Sequence, residues 1–310
     1  MKKLPTMCVK YKYTIIIPHF KLIDLLPRAL CSIPDRPDVQ ILVVDDNSGI
    51  DESRFHALNT FRQAECRFIF TKESKGAGYV RNVGLAHASG EWLLFLDADD
   101  FFEDGAFSLF DVHADSANDV VYFNTRSVYS ESLFPSPRFG TYNAYIDFAQ
   151  TDNIHHQNII RAYHVVPVAK MIRSALVHAH NIRFDEVPWG NDVFFATQVG
   201  AKASKIAIEK TVVYVVTERE NSLVKQFSAE ALLCRYKVAL RANQYLRSMG
   251  MKSYQNTILF HLKRIARCGM IPFVKALCLG FKYGGYNLHT LYLSSRMVKH
   301  ILHTYNPSQR

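Results

Sequence analysis

Cysteine is sparse and scattered in this 310-residue chain. Cys8, Cys31, Cys66, Cys234, Cys268 and Cys278 form no C-x-x-C pair, and no histidine cluster completes a zinc pattern. That excludes a disulfide scaffold and a zinc module, and predicts buried thiols in a reducing compartment. Long apolar runs are missing as well. No window reaches the roughly 18 residues that cross a bilayer; the best stretch, Gly269 to Phe281, is too short and holds Lys275. Met1-Lys2-Lys3-Leu4-Pro5 lacks the uninterrupted apolar segment of a signal peptide, so a cytoplasmic location is expected. There is no internal repeat and no low-complexity tract. Acidic residues almost vanish from the last part of the chain: Ser228 to Arg310 carries 13 Lys or Arg and a single acid, Glu230, while the preceding 227 residues hold 24 basic and 27 acidic side chains. The net charge of +9 therefore comes from the tail, which predicts two functional regions, 1–227 and 228–310, and an anionic partner for the second.

What is present is a globular composition, with 48% apolar and 21% charged residues, enough for a sizeable core. Short isoleucine- and valine-rich runs at Tyr13–Pro18, Val39–Val44 and Trp92–Leu96 read as buried strands, with a shorter one at Arg67–Thr71. Helical spacing covers Leu22–Ile33, with Pro27 in its first turn or kinking it, and also Asp51–Ala64 and Gly78–Ala88. Strands alternating with helices indicate βαβ units and a mostly parallel sheet, an α/β fold. Further on, Val120–Val128 reads as a strand, Lys170–His180 and Val193–Val199 as helical, Ile206 and Thr211–Val216 as strands, and the chain from Ser228 as helical. Residues 130–158, rich in turn formers and aromatics, give no clear pattern.

Parallel sheets bind ligands beyond the carboxyl ends of their strands. Asp45-Asp46-Asn47-Ser48 and Asp97-Ala98-Asp99-Asp100 both follow strands, so the two clusters are expected in one crevice. Paired carboxylates at a strand end suit Mg²⁺ or Mn²⁺ bridging the phosphates of a sugar nucleotide; each cluster alone would also serve as an ordinary capped turn. A carboxylate at Asp45 or Asp46 suits a uracil N–H and ribose hydroxyls. Lys75-Gly76-Ala77-Gly78-Tyr79-Val80-Arg81 is not a Walker loop and lacks the dinucleotide fingerprint; its glycines let a helix start and pack closely, and Arg81 is either a nucleotide contact or a surface cation.

Taken together these segments resemble glycosyltransferase family 2, inverting enzymes with a Rossmann-like GT-A fold. The resemblance runs from Thr14-Ile15-Ile16-Ile17-Pro18-His19-Phe20 through Val43-Val44-Asp45-Asp46-Asn47-Ser48, Gly78 with Asn82, Gly84, Leu85, Ala88 and Gly90-Glu91-Trp92, to Phe95-Leu96-Asp97-Ala98-Asp99-Asp100. A second block comprises Lys170-Met171-Ile172-Arg173-Ser174, Ile182-Arg183-Phe184-Asp185-Glu186 and Trp189-Gly190-Asn191-Asp192. The whole covers about residues 12 to 222. It implies a UDP-sugar donor contacted by Pro18, Phe20, Asp45, Asp46, Arg81, Asp97 and Ala98. It implies Mn²⁺ or Mg²⁺ on Asp99 with Asp97, and Asp192 as the catalytic base that removes the acceptor hydroxyl's proton as it attacks. The product implied is a bacterial capsule or lipopolysaccharide glycan. Two positions depart from the family: Lys21 replaces an asparagine, and Asn191 replaces the first acid of a Glu-Asp pair, where Asn191 would equally serve as a helix N-cap with Asp192 in the first turn. Trp189 is either an apolar platform for the acceptor sugar, near Asn191, or a core residue. Arg219-Glu220-Asn221-Ser222 falls where related enzymes close over the donor.

In the tail, Ile258, Leu262 and Ile265 share one helix face and Lys263, Arg264 and Arg267 the other. This predicts a helical region resting on an anionic membrane, or a packed subdomain with a solvated basic face. A lipid-linked or glycan acceptor at the inner face of the cell membrane fits the first of these. No nucleic-acid motif is present. A catalytically inactive nucleotide-binding or membrane scaffold is the rival reading, with Asn191 as its one hint.

Overall fold

A computed structural model describes residues 10–138, 140–150, 153–219, 227–287 and 289–304. The chain forms two compact units: residues 1–139, 167–186 and 203–218 make the first, and 140–166, 187–202 and 219–310 the second. A single cut after residue 227 does not describe this division, because two internal segments join the C-terminal helices.

The first unit is built on one eight-stranded sheet. Its strands are β1 (Tyr11–His19), β2 (Val39–Asp45), β3 (Glu65–Phe70), β4 (Gly90–Phe95), β5 (Phe101–Phe102), β6 (Val120–Tyr129), β7 (Lys170–Arg173) and β8 (Ile206–Glu218), in the order β3-β2-β1-β4-β7-β6-β8-β5. The pairs β3-β2, β2-β1, β1-β4 and β6-β8 are parallel and the other three antiparallel, which gives the mostly parallel α/β sheet the sequence predicts. Every residue of β2 is buried, as expected for a parallel strand covered on both faces, where apolar residues run on without alternating. The helices of this unit are α1 (Leu26–Cys31), α2 (Glu52–His56), α3 (Ala77–His87), α4 (Ala106–Ala114) and α7 (Ser174–Ala179). Pro27 lies in the first turn of α1, where its missing N–H costs nothing. Helix α3 lies so close to β1 that a Cβ on Gly84 would stand 2.5 Å from Ile16 Cγ2.

Three local expectations are corrected. The helix expected to Ala64 stops at His56; farther on, the Asp35 carboxylate accepts the backbone N–H groups of Arg62, Gln63 and Ala64 just before β3. Lys170–Arg173 is a strand between β4 and β6, and only Ser174–Ala179 is helical; four residues are too few to carry a periodicity that would tell the two apart. The thiols are not uniformly buried: Cys31, Cys268 and Cys278 are exposed.

The second unit is helical. It holds α5 (Gly140–Phe148), α6 (Ile154–Tyr163), α8 (Val193–Lys202), α9 (Ala229–Ser248), α10 (Leu259–Ala266), α11 (Met270–Lys282) and α12 (Ser294–Thr304). Leu232, Tyr236, Leu240, Ile258, Leu262, Ile265 and Ala276 form one of its apolar clusters. Ser228 caps α9, its hydroxyl accepting the Ala231 N–H. No helix among the described residues is long and apolar enough to cross a membrane.

Candidate active site

In the first unit, β1 lies between β2 and β4, and the register aligns His19 with Asp45 and Ile16 with Phe95. The two acidic turns therefore leave the same end of the sheet, on either side of β1. They differ in what surrounds them.

Asp45 is buried and fully engaged by its own turn. One carboxylate oxygen meets His19 Nδ1 at 2.6 Å and the Ser48 hydroxyl, and the other accepts the Ser48 N–H at 2.8 Å. His19 Nε2 accepts the Leu22 N–H at 3.1 Å, which leaves Nδ1 as the protonated nitrogen that donates to Asp45. Burial alone would push the Asp45 carboxyl up; the His19 and Ser48 bonds outweigh it and hold the group below the usual range. Lys21, which stands where the family has asparagine, has φ +54. Asparagine enters that left-handed region more readily than lysine. The Lys21 N–H donates to Ser48 Oγ at 2.8 Å. Pro18 is half-buried beside this turn in sequence, and Phe20 is half exposed with the Lys21 ammonium over its ring.

Asp46, also buried, accepts the Lys75 N–H at 3.0 Å and the Gly76 N–H at 2.7 Å. Gly76 has φ +86, a conformation that side chains rarely adopt, and it leads directly into α3. Asp46 thus places a carboxylate at the start of α3, where the helix dipole favours negative charge. One turn on, Arg81 is buried and donates from Nη2 to Asp97 Oδ1 at 2.7 Å, with Phe184 under its guanidinium. Asn82 pairs its amide with the backbone of Phe184 in both directions.

The Asp97–Asp100 turn follows β4. Asp97 and Asp99 are half-exposed, whereas Ala98 and Asp100 are buried. Asp100 accepts the Tyr214 hydroxyl at 2.9 Å and the Thr217 N–H at 2.7 Å. Burial, then the charges of Asp99 and Asp97, push the Asp100 carboxyl well above its ordinary value. The Tyr214 oxygen also accepts the Asp97 N–H at 3.0 Å. The Asp99 carbonyl receives Thr217 Oγ1 at 2.9 Å and Arg28 Nη2 at 2.5 Å. His19, Arg28, Tyr214 and Thr217 are the site residues that sequence reasoning missed. Only His19 stood in a motif; the other three lie far away in sequence with no local signal.

The turn suits a divalent ion. Among the described residues no group of three His, Cys, Asp or Glu side chains is gathered into a ready-made cage. Mg²⁺-type sites on nucleotides commonly use one or two carboxylates plus substrate phosphates and water, and Asp97 and Asp99 supply half-exposed hard oxygens of that kind. Burial is the main cause of the upward push on Asp100, and the neighbouring charges of Asp99 and Asp97 add to it.

Trp189, Asn191 and Asp192 belong to the second unit. All three are half-buried. The Trp189 carbonyl accepts the Cys234 thiol at 3.5 Å. The first helical bond of α8 runs from the Ala196 N–H to the Asp192 carbonyl at 2.9 Å, so Asp192, rather than Asn191, holds the N-cap position. Arg219 is half-buried, and Glu220, Asn221 and Ser222 lie outside the described residues.

Comparison with known proteins gives this geometry a context. The chain is 27% identical over 238 residues to the cholesterol galactosyltransferase of Borreliella burgdorferi, covering 71% of this chain and 63% of that protein. Other curated relatives are spanned to about a third of their length. In structure the chain resembles S. aureus TarS 1-349 in complex with UDP-GlcNAc, with a TM-score of 0.60 at 18% identity, covering 95% of this chain and 80% of that one. It also resembles the mannosyltransferase PcManGT from Pyrobaculum calidifontis in complex with GDP-Man and Mn2+, with a TM-score of 0.55 at 14% identity, covering 96% and 88%. These likenesses show the expected GT-A fold. The family model described as Glycosyl transferase family 2 matches residues 14–172, half of the chain, from β1 through both acidic turns to β7, and the protein belongs to that family.

Proposed function

We propose that the protein moves a hexose or N-acetylhexosamine from a UDP-sugar to a glycan or lipid-linked acceptor, with inversion, in cell-surface polysaccharide synthesis. The observation that carries this is the contrast within the Asp97–Asp100 turn, where Asp100 is locked into the fold while Asp97 and Asp99 keep half-exposed carboxylates at the carboxyl end of β4. The family and its relatives, which include a galactosyltransferase, supply the reaction class.

In this reading Asp99 and Asp97 would hold Mn²⁺ or Mg²⁺, which when bound would neutralise charge developing on the departing diphosphate. Asp46 and the Gly76 turn face the uracil and ribose. Arg81 orients Asp97. The acceptor hydroxyl gives its proton to the Asp192 carboxylate while its oxygen bonds to the anomeric carbon from the face opposite UDP, and the bond from that carbon to the diphosphate oxygen breaks. The first unit would hold the donor, Asp192 of the second would supply the base, and the basic helices from 228 would hold the enzyme on the inner face of the membrane.

A panel of UDP-sugars tests the reading. Metal-dependent release of UDP from at least one donor is expected, and Asp192→Asn should keep UDP affinity while lowering transfer by roughly a hundredfold or more. UDP binding without turnover on any donor would leave an inactive nucleotide-binding protein. Near-normal transfer by Asp192→Asn would move the base elsewhere.

A further inference from the structure

The tail's amphipathic pattern predicts a membrane-facing surface but does not say which helix presents it. The apolar side of α10 is not available, since Ile258, Leu262 and Ile265 are buried against Leu232, Tyr236, Leu240 and Ala276. Helix α11 is different. Its inner side is closed by Ala276 and Gly280, yet Met270, Ile271, Val274 and Phe281 are 74%, 72%, 48% and 75% exposed. At about 100° per residue these four fall within an arc of roughly 100°, together with the exposed Cys278. Next around the helix come Lys275 and Lys282, both exposed.

Three observations choose the occupant. A contiguous apolar stripe of this kind is unusual on a surface that meets only water. A lysine rim beside it, in a region with 13 basic residues and one acid, selects a partner that is apolar and anionic at once. A second copy of the same helix would bring its own lysines to the shared rim. We infer that α11 lies in the plane of an anionic membrane, with Met270, Ile271, Val274 and Phe281 at the acyl boundary and Lys275 and Lys282 at the lipid phosphates. This deepens the membrane part of the function proposed above and rests on it.

The full chain is sedimented with phosphatidylcholine vesicles and with phosphatidylcholine–phosphatidylglycerol vesicles, alongside Ile271→Glu/Phe281→Glu and Lys275→Gln/Lys282→Gln variants. Wild type should bind the mixed vesicles and leave them in high salt. The glutamate pair should cut binding by roughly tenfold or more, and the glutamine pair by about fivefold per lysine. All the substituted residues are exposed, so unfolding is not expected, and matching far-UV melting curves establish that. Wild type left in the supernatant with mixed vesicles overturns both the membrane reading and the α11 assignment. Vesicle binding that survives the glutamate pair overturns the α11 assignment alone. A wild-type dimer that the glutamate pair splits, with no vesicle binding, also overturns it and gives the stripe to a second copy. UDP-sugar hydrolysis, measured on the same samples without vesicles, separates these results from a failure of the transfer reading.

Discussion

Asp45-Asp46 and Asp97–Asp99 both stand at the carboxyl ends of parallel strands, yet only the second pair is substantially open to solvent. In the first turn each carboxylate accepts hydrogen bonds from nearby protein groups: His19 and Ser48 for Asp45, and the Lys75 and Gly76 amides for Asp46. In the second, the buried Asp100 takes the structural role, bonded to Tyr214 and Thr217, while Asp97 and Asp99 remain half-exposed. Asp45 and Asp100, buried and bonded on both sides, thus serve the framework, while Asp97, though paired with Arg81, and Asp99 stay partly open to solvent. Burying an ionised carboxylate requires full hydrogen bonding, and a carboxylate so bonded has less left to offer a ligand.

That contrast can be broken by substitution. The largest effect is expected from Asp99→Ala: metal-dependent turnover of the UDP-sugar falls roughly a hundredfold or more, while urea unfolding changes less than it does for Asp45→Ala. Asp45→Ala should do the reverse. It leaves the His19 Nδ1–H and the Ser48 N–H without their buried acceptor, at a cost of about 2–4 kcal/mol in urea unfolding, with only a secondary loss of UDP affinity. The pH profile sharpens the same point. Because the folded pKa of Asp45 is depressed, its contribution is complete above its ordinary value of 3.8 and is lost as pH falls through the lower folded value. Wild type should therefore lose stability more steeply than Asp45→Ala below that pH. The smallest effect is expected from Tyr214→Phe, which removes one donor to Asp100 and one acceptor from the Asp97 N–H. It should lower stability by about 1–2 kcal/mol and turnover by less than tenfold. A hundredfold loss in turnover there would mean that Tyr214 belongs to the reacting site.

The parallel half of the sheet was legible in sequence because its strands are short apolar runs, two of them ended by acids, and the strand-end rule then placed both acidic turns. Less was legible where the determining partner is remote. Asp35 holds the segment that follows α2 from across a stretch of more than twenty residues. Tyr214 reads as one more apolar-strand residue until its hydroxyl meets Asp100. Lys170–Arg173 is too short to show a period, and residues 130–158, which include α5 and the first half of α6, lack one. The tail teaches a related lesson. Amphipathicity in α10 foretold that one face would be covered, and it is, but by neighbouring helices of its own unit rather than by lipid. What an apolar face meets is a tertiary fact.

Asp46 grips the two amides that open α3, Arg81 extends from the next turn of that helix, and its guanidinium holds Asp97. The ends of β2 and β4 are thereby joined by a lever one helical turn long. A disturbance at Asp46 would be transmitted to Asp97, the two being in the proposed function the uracil and diphosphate ends of the donor site, so the energies of changes at the two would not add. Base recognition and leaving-group stabilisation would then be parts of one coupled element, and selectivity for the nucleotide could be expressed in the rate of sugar transfer as well as in binding.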